Sequence, residues 1–155
     1  MSNTEEVLIA LRRVIRATDL HSKHLAKISG LTAPQILLLQ AIHGKPEVTI
    51  GGLAAEISLS QATVTTILDR LEKKGLVFRQ RSASDRRKVH AYLTEAGIQC
   101  LHDAPTPLQE HFVHQFENLK AWEQTMIISS LQRIAEMMDA QDIEAAPMLE
   151  IGTLD

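Results

Sequence analysis

A mainly α-helical chain carrying one small β-hairpin is what this sequence predicts, and three observations predict it. Apolar residues recur at three- and four-residue spacing almost from end to end. The period switches to two at one place only, in Val77–Arg81 and Val89–Leu93. Capping residues, glycines and prolines punctuate the helical stretches. The bulk figures agree: 155 residues, 45 % hydrophobic and 23 % charged, make one domain or two intimately packed ones. Only Phe78, Tyr92, Phe112, Phe116 and Trp122 are aromatic, so the core must rest on aliphatic side chains. A single cysteine, Cys100, excludes an intrachain disulfide framework and a Cys-rich zinc site. The opening MSNTEEVL lacks a basic region followed by a long apolar stretch, so no signal peptide is expected. The most apolar window, residues 36–42, is far short of the ~20 residues that cross a membrane. A soluble, cytoplasmic protein with no membrane partner is therefore expected.

Val7, Leu8, Leu11, Val14, Ile15, Thr18, Leu25 and Ile28 trace one stripe of an amphipathic first helix, roughly 24 residues long and ended by Gly30. Thr32 and Gln35 form a capping box around Pro34, and ILLLQAI makes a second, largely buried helix. A loop at Gly44, Lys45 and Pro46 leads to a short third helix, capped by Thr49 and reaching Glu56. Ser60 caps a fourth helix that runs to Lys74 and stops at Gly75 in a left-handed cap. The two strands follow, joined by the polar loop SASDRRK, so the hairpin has a basic tip. Thr94 caps a fifth helix. Pro105 and Pro107 interrupt it, because each removes a backbone donor and clashes with the preceding turn. Thr106 with Gln109 offers a capping box for a restart. The last helix, from about residue 120 to 139, carries Trp122, Met126, Ile127, Leu131, Ile134 and Met138 on one side. The tail from Ala145 onward, with Pro147, Met148, Leu149, Ile151 and Leu154, is too apolar to hang free and is expected to dock on a partner surface.

Net charge is −3 with an isoelectric point near 6.2, which by itself argues against a nucleic-acid binder. Its distribution argues the other way. Residues 70–90 hold eight basic and two acidic side chains, a local +6 that leaves −9 on the rest of the chain. A basic block on an acidic body is the footprint of a phosphate-binding face, although a charge run is often only a solvated surface. Here the block coincides with helix, short turn, helix and basic-tipped hairpin, the order of a winged helix-turn-helix. In the fourth helix Val64, Ile67, Leu68 and Leu71 form the buried stripe. Ser60, Gln61, Ala62, Thr63, Thr65 and Thr66 remain outside, small and polar enough to approach base edges in the major groove, with Arg70 beyond them. The helix N-terminus capped by Ser60 can also face a phosphate. Arg86, Arg87 and Lys88 at the hairpin tip reach for the minor groove or backbone.

The run SQATVTTILDRLEKKGLVFR, residues 60–79, resembles the recognition helix and first wing strand of the MarR family of bacterial transcriptional regulators. The family's wing Asp-x-Arg falls on Asp85, Arg86 and Arg87, and its Leu-Thr-x-x-Gly falls on residues 93–97. The resemblance covers essentially the whole chain. It implies a winged helix-turn-helix DNA-binding lobe over residues 32–103, with residues 1–31 and 104–155 supplying dimerisation helices and tail. It further implies an obligate homodimer on a pseudopalindromic double-stranded operator, commonly a repressor released by a small ligand. Ser60, Gln61, Thr63, Thr65 and Thr66 would then face the major groove and Arg87 the minor groove. Asp85 would orient Arg87 or pair with a neighbouring basic residue. Two positions depart from the family pattern. Ser58 stands where the turn usually has glycine. Gly51 and Gly52 sit inside the third helix at roughly 1 kcal/mol each against Ala, leaving it either locally loose or closely packed.

Family ligand pockets lie between the lobes beside the first helix, which nominates Arg16, His21 and His24 for an anionic or phenolic effector. The RATDLHSK and APTPLQE stretches and the apolar tail also resemble MarR-type regulators of osmotic-stress and compatible-solute genes, where ionic strength or an osmolyte is the signal. His21-x-x-His24 and His111-x-x-His114 each put two rings on one helix face, which keeps a metal-responsive sensor open, but neither pair has a thiolate or a carboxylate cluster, so no metal site is expected. Cys100 has no second thiol to resolve an oxidised form and reads as packing. The Pro105 and Pro107 break is either a hinge between lobe and dimer helices or a fixed kink. No glycine-rich phosphate loop, nucleophile elbow or paired carboxylates with a partner base occur, so neither an enzyme nor a cofactor is expected. A winged helix used for protein contacts is the rival class; it has no need of a Ser/Thr-rich helix face beside a basic tip.

Overall fold

The computed structural model describes residues 1–45, 47–152 and 154, so Pro46 of the expected loop lies outside the described residues. Seven helices and one two-stranded antiparallel sheet follow in the order α1 (Asn3–Ser29), α2 (Ala33–Gly44), α3 (Ile50–Ile57), α4 (Gln61–Lys73), β1 (Val77–Arg81), β2 (Val89–Leu93), α5 (Glu95–Asp103), α6 (Leu108–Glu117) and α7 (Ala121–Met137). Caps decide most of these boundaries. Ser2 and Glu5 form a capping box that starts α1, and Gly30 at φ 71° ends it. Thr32 and Gln35 form the expected box on α2, while Thr49, Ser60 and Thr94 cap α3, α4 and α5 through their side-chain oxygens.

The core sits where α2, α3, α4 and the sheet meet. Leu38, Leu39, Val64, Ile67, Leu68 and Leu71 lose all contact with solvent. The expected stripe of α4 is thus the centre of the lobe. β1 and β2 pair with Phe78 opposite Tyr92, and these rings stack at 5.3 Å. Thr49 makes an isolated antiparallel bridge to His90, tying the hairpin to the start of α3. The two glycines of α3 are closely packed. A side chain at Gly52 would collide with Val48, and one at Gly51 would stand 3.1 Å from the Gln61 amide nitrogen.

Ser58 holds the turn between α3 and α4 at φ 58°, ψ 39°. An L-residue with a Cβ pays about 1 kcal/mol for that left-handed conformation. Ser58→Gly is therefore expected to stabilise the lobe by about 0.5–1 kcal/mol, read as a higher thermal unfolding midpoint. A lower midpoint would mean that the serine side chain contributes more than its backbone costs.

Three expectations are corrected. Thr106 does not cap the restarted helix: α6 begins at Leu108 with Pro107 in the cap position and no side-chain cap bond. Gln109, the intended partner in that box, is taken by the tail instead. Its Nε2 donates to the Pro147 carbonyl at 3.3 Å, and its Oε1 accepts from the Leu149 amide at 2.8 Å. Correspondingly, the tail seats on its own chain rather than on a partner surface, with Ala146, Met148 and Leu154 against the core. Finally, the stripes of α1 and α7 are not core in the protomer. Within α1 only Thr18 and Leu25 are buried, and neither α6 nor α7 buries any residue. Leu8 is 57 % exposed, Ile15 63 % and Trp122 59 %.

Candidate nucleic-acid interface

Recognition by a helix requires a rigid backbone and an open N-terminal face. Ser60 supplies the first: its Oγ accepts from the Thr63 amide at 3.1 Å and donates to Thr63 Oγ1 at 2.8 Å. The four buried residues of α4 lock the opposite side. Gln61, Ala62, Thr65, Thr66 and Arg70 are exposed, and Thr63 is half-buried. The Thr66 hydroxyl donates to the Ala62 carbonyl at 3.1 Å, so its donor is used within the helix. Gln61 folds over Gly51, whose missing side chain leaves it room.

The hairpin tip is a closed polar turn. Ser82 donates its amide to the Lys88 carbonyl at 2.8 Å, and Lys88 returns one to the Asp85 carbonyl at 3.0 Å. Asp85 Oδ1 accepts both the amide (3.1 Å) and Nε (3.2 Å) of Arg87. The Arg87 side chain is nonetheless 91 % exposed, so the carboxylate aims the guanidinium without burying it. Arg86 and Lys88 are exposed beside it.

Not every cation of the basic block faces outward. Arg79 Nη2 lies 2.6 Å from both Asp69 Oδ1 and Glu72 Oε2, clamping β1 to the outer side of α4. The hydrogen bond from Arg79 holds the Glu72 carboxyl below the usual carboxylate range. Lys74 Nζ donates to the Gly30 carbonyl at 2.9 Å and ties the end of α4 to the end of α1. Net-charge counting enlists both residues as DNA-facing. The signal against Arg79 was available in the two acids three residues apart on α4, the spacing that puts both on one side of the helix.

The effector trio is divided. His21 and His24 line a cavity of about 20 Å³ with Thr18, Pro105, Pro107 and Leu149, room for about one water. His21 also borders an open groove of about 600 Å³ beside Glu110, His111 and His114 of α6. Arg16 is elsewhere, because five residues along a helix turn it about 140° away from His21. There it pairs with Asp19 at 2.9 Å. Among the described residues no group of three or more His, Cys, Asp or Glu side chains is placed to hold a metal ion. Cys100 packs beside the core and burial pushes its thiol upward, which disfavours the reactive thiolate. Among the described residues no single helix is long and apolar enough to cross a membrane.

A capped helix with a small polar face, followed by a basic-tipped hairpin clamped to its flank, defines a winged helix-turn-helix protein of the DNA-binding class. Similarity to known proteins gives the family. The MarR family model matches residues 31–89. The transcriptional regulator HosA of Escherichia coli O127:H6 is 30 % identical over 126 residues, which span 78 % of this chain and 90 % of that protein. The regulator MhqR of Bacillus subtilis is 32 % identical over 99 residues, 63 % of this chain and 68 % of that one. The fold matches the crystal structure of a MepR-like protein complexed with pseudoligands, with a TM-score of 0.61 and 22 % identity over 89 % of this chain and 97 % of that one. The chain belongs to the MarR family of DNA-binding transcriptional regulators, and its named relatives are regulators rather than enzymes.

Proposed function

We propose that the protein is a cytoplasmic homodimeric repressor that reads a pseudopalindromic operator with two copies of α4. The observation that carries this reading is the pairing of an exposed, Ser60-capped polar face on α4 with an Arg87 aimed by Asp85. Residues 32–103 form the DNA-binding lobe, and residues 1–31 and 104–155 provide the dimer helices. The exposed apolar stripes of α1 and α7 support a second copy as their cover. Two-fold symmetry then sets the half-sites roughly 10 bp apart. Ser60, Gln61, Ala62, Thr63, Thr65 and Thr66 approach base edges and the adjoining phosphates, with Arg70 toward the backbone. Arg87 enters the minor groove, flanked by Arg86 and Lys88.

A small effector bound beside α1 modulates this binding. The groove bordered by His21, Glu110 and His111 supports that assignment, as does the pseudoligand complex of the MepR-like structure. The Pro105 and Pro107 break lines the neighbouring cavity, where a bound molecule would bear directly on the joint between lobe and dimer helices. Control of osmotic-stress and compatible-solute genes, with ionic conditions or an osmolyte as signal, is the regulon that the RATDLHSK and APTPLQE stretches support.

The test is a titration of the DNA upstream of the protein's own gene against KCl. Arg87→Ala is expected to weaken binding to every sequence alike and to make the log–log salt slope about 0.9 less negative, the value of one phosphate contact. Thr65→Ala is expected instead to change base preference at one position of each half-site. Uniform weakening from both substitutions would overturn that division of labour. Failure to distinguish operator from random duplex would overturn the regulator itself.

A further inference from the structure

From residue 136 onward the sequence carries six acidic residues (Glu136, Asp139, Asp142, Glu144, Glu150 and Asp155) and no lysine, arginine or histidine. The path of this segment is specific. Asp139, at φ 52°, turns the chain off the end of α7. The Gln109 amide then grips the backbone at Pro147 and Leu149, and Glu150 Oε2 accepts the Ala33 amide at the start of α2 at 3.3 Å. Met148 and Leu154 pack against the core. These anchors lay Glu144 and Glu150 along an open groove of about 610 Å³, whose other wall is Ala62, Thr63 and Thr66 of α4.

We propose that the acidic segment after α7 is an intramolecular competitor of DNA, held by its apolar anchors beside the reading face of α4. The inference rests on the reading of α4 as the DNA-recognition helix. Carboxylates seated next to a helix that must approach phosphates repel the duplex and offset part of the attraction supplied by the wing. Each such carboxylate also opposes the counterion release that drives association, so the segment lowers affinity most at low salt and flattens the salt dependence. Screening weakens the repulsion as ionic strength rises. The affinity of this protein for DNA is thereby less sensitive to salt than its cations alone would make it.

The experiment compares full-length protein with the double variant Glu144→Gln/Glu150→Gln on a random-sequence duplex, titrated from about 50 mM to about 200 mM KCl. The side-chain amide oxygen that Glu150→Gln introduces can still accept from Ala33, so the path of the segment is preserved. The expected result is binding on the order of fivefold tighter at the low-salt end, a steeper log–log slope, and convergence of the two proteins at the high-salt end. Gln109→Ala, which removes an anchor and no charge, is expected to raise affinity as well. Equal affinities and slopes for wild type and the double variant overturn the inference and leave the DNA reading intact. A fall in affinity from both variants makes the segment a support for α4 and overturns it too. If no protein binds any duplex, the DNA reading falls and this inference with it. Amide exchange at Leu149, whose N–H is held by Gln109, gives a separate readout: DNA is expected to accelerate it, and unchanged protection overturns displacement of the segment.

Discussion

Leu8→Glu with Ile15→Glu should leave a folded monomer whose operator affinity is reduced by at least about a hundredfold. The two residues are seven apart on α1, so they share one face of the helix. Both are more than half exposed in the protomer, and neither belongs to the buried cluster of the DNA-binding lobe. Two carboxylates there cost the protomer little. In a symmetric interface each would appear twice, unpaired and stripped of water, and burial of an unpaired charge is among the most destabilising changes available. A dimer on a two-half-site operator gains about 10²- to 10⁴-fold from having its second lobe tethered to the first. Loss of the interface removes that whole factor at once. Sedimentation equilibrium at micromolar concentration, beside an operator titration, checks both halves of the statement. Unchanged helical content by circular dichroism separates dissociation from unfolding. A variant that stays dimeric and binds normally would move the interface away from the α1 stripe.

The elements whose boundaries depend on neighbours within four residues follow from sequence directly. Thr32 with Gln35, Ser60 with Thr63 and Thr94 with Gly97 are caps closed over three residues, and the structure forms each of them. The four-residue stripe of α4 is equally local, because its period fixes one face whatever lies opposite. Both strands of the hairpin also begin and end where the two-residue period does. Distant competition is what local pattern cannot register. Gln109 had a partner three residues back in Thr106, but the tail, 38 and 40 residues further on, offered a carbonyl and an amide at once. Arg79 was counted as one more cation of a basic face, yet two carboxylates on α4 claimed it. The same limit explains the candidate interface. The identities of its exposed residues are readable from helical phase, as is the Asp85–Arg87 pair from its spacing. The groove that brings Glu144 and Glu150 beside Thr63 depends on where a segment more than 75 residues later comes to rest. Arg16 shows a simpler error, since helical phase alone separates it from His21.

Gly97→Ala is expected to cost about 3 kcal/mol, the upper end of what overpacking causes. Gly97 is buried in the first turn of α5, directly against the last residue before β1. A methyl group built there collides with the Leu76 carbonyl oxygen and stands 3.0 Å from its carbon. Most crowded sites relax by turning a flexible side chain, but here the obstacle is backbone held from several directions. The Leu76 oxygen accepts the Thr94 amide at 3.0 Å, and the Gly75 oxygen accepts the Thr94 hydroxyl at 2.6 Å. The Leu76 amide is bonded in turn to the Leu71 carbonyl of α4. Retreat of Leu76 would therefore break the join between α4, the wing and α5, so strain at residue 97 reaches both elements of the DNA-binding face. This lattice gives the Leu-Thr-x-x-Gly run its physical meaning: threonine caps α5 and stitches it to Gly75, while glycine lets the helix touch backbone. Thermal unfolding of Gly97→Ala should show a midpoint lower by on the order of 10 °C, against a few degrees for Thr94→Ala, which removes the cap and the Gly75 bond but adds no bulk. Equal midpoints for Gly97→Ala and wild type would mean that α5 can slide off Leu76 without cost, and the join would then not be what fixes the wing relative to α4.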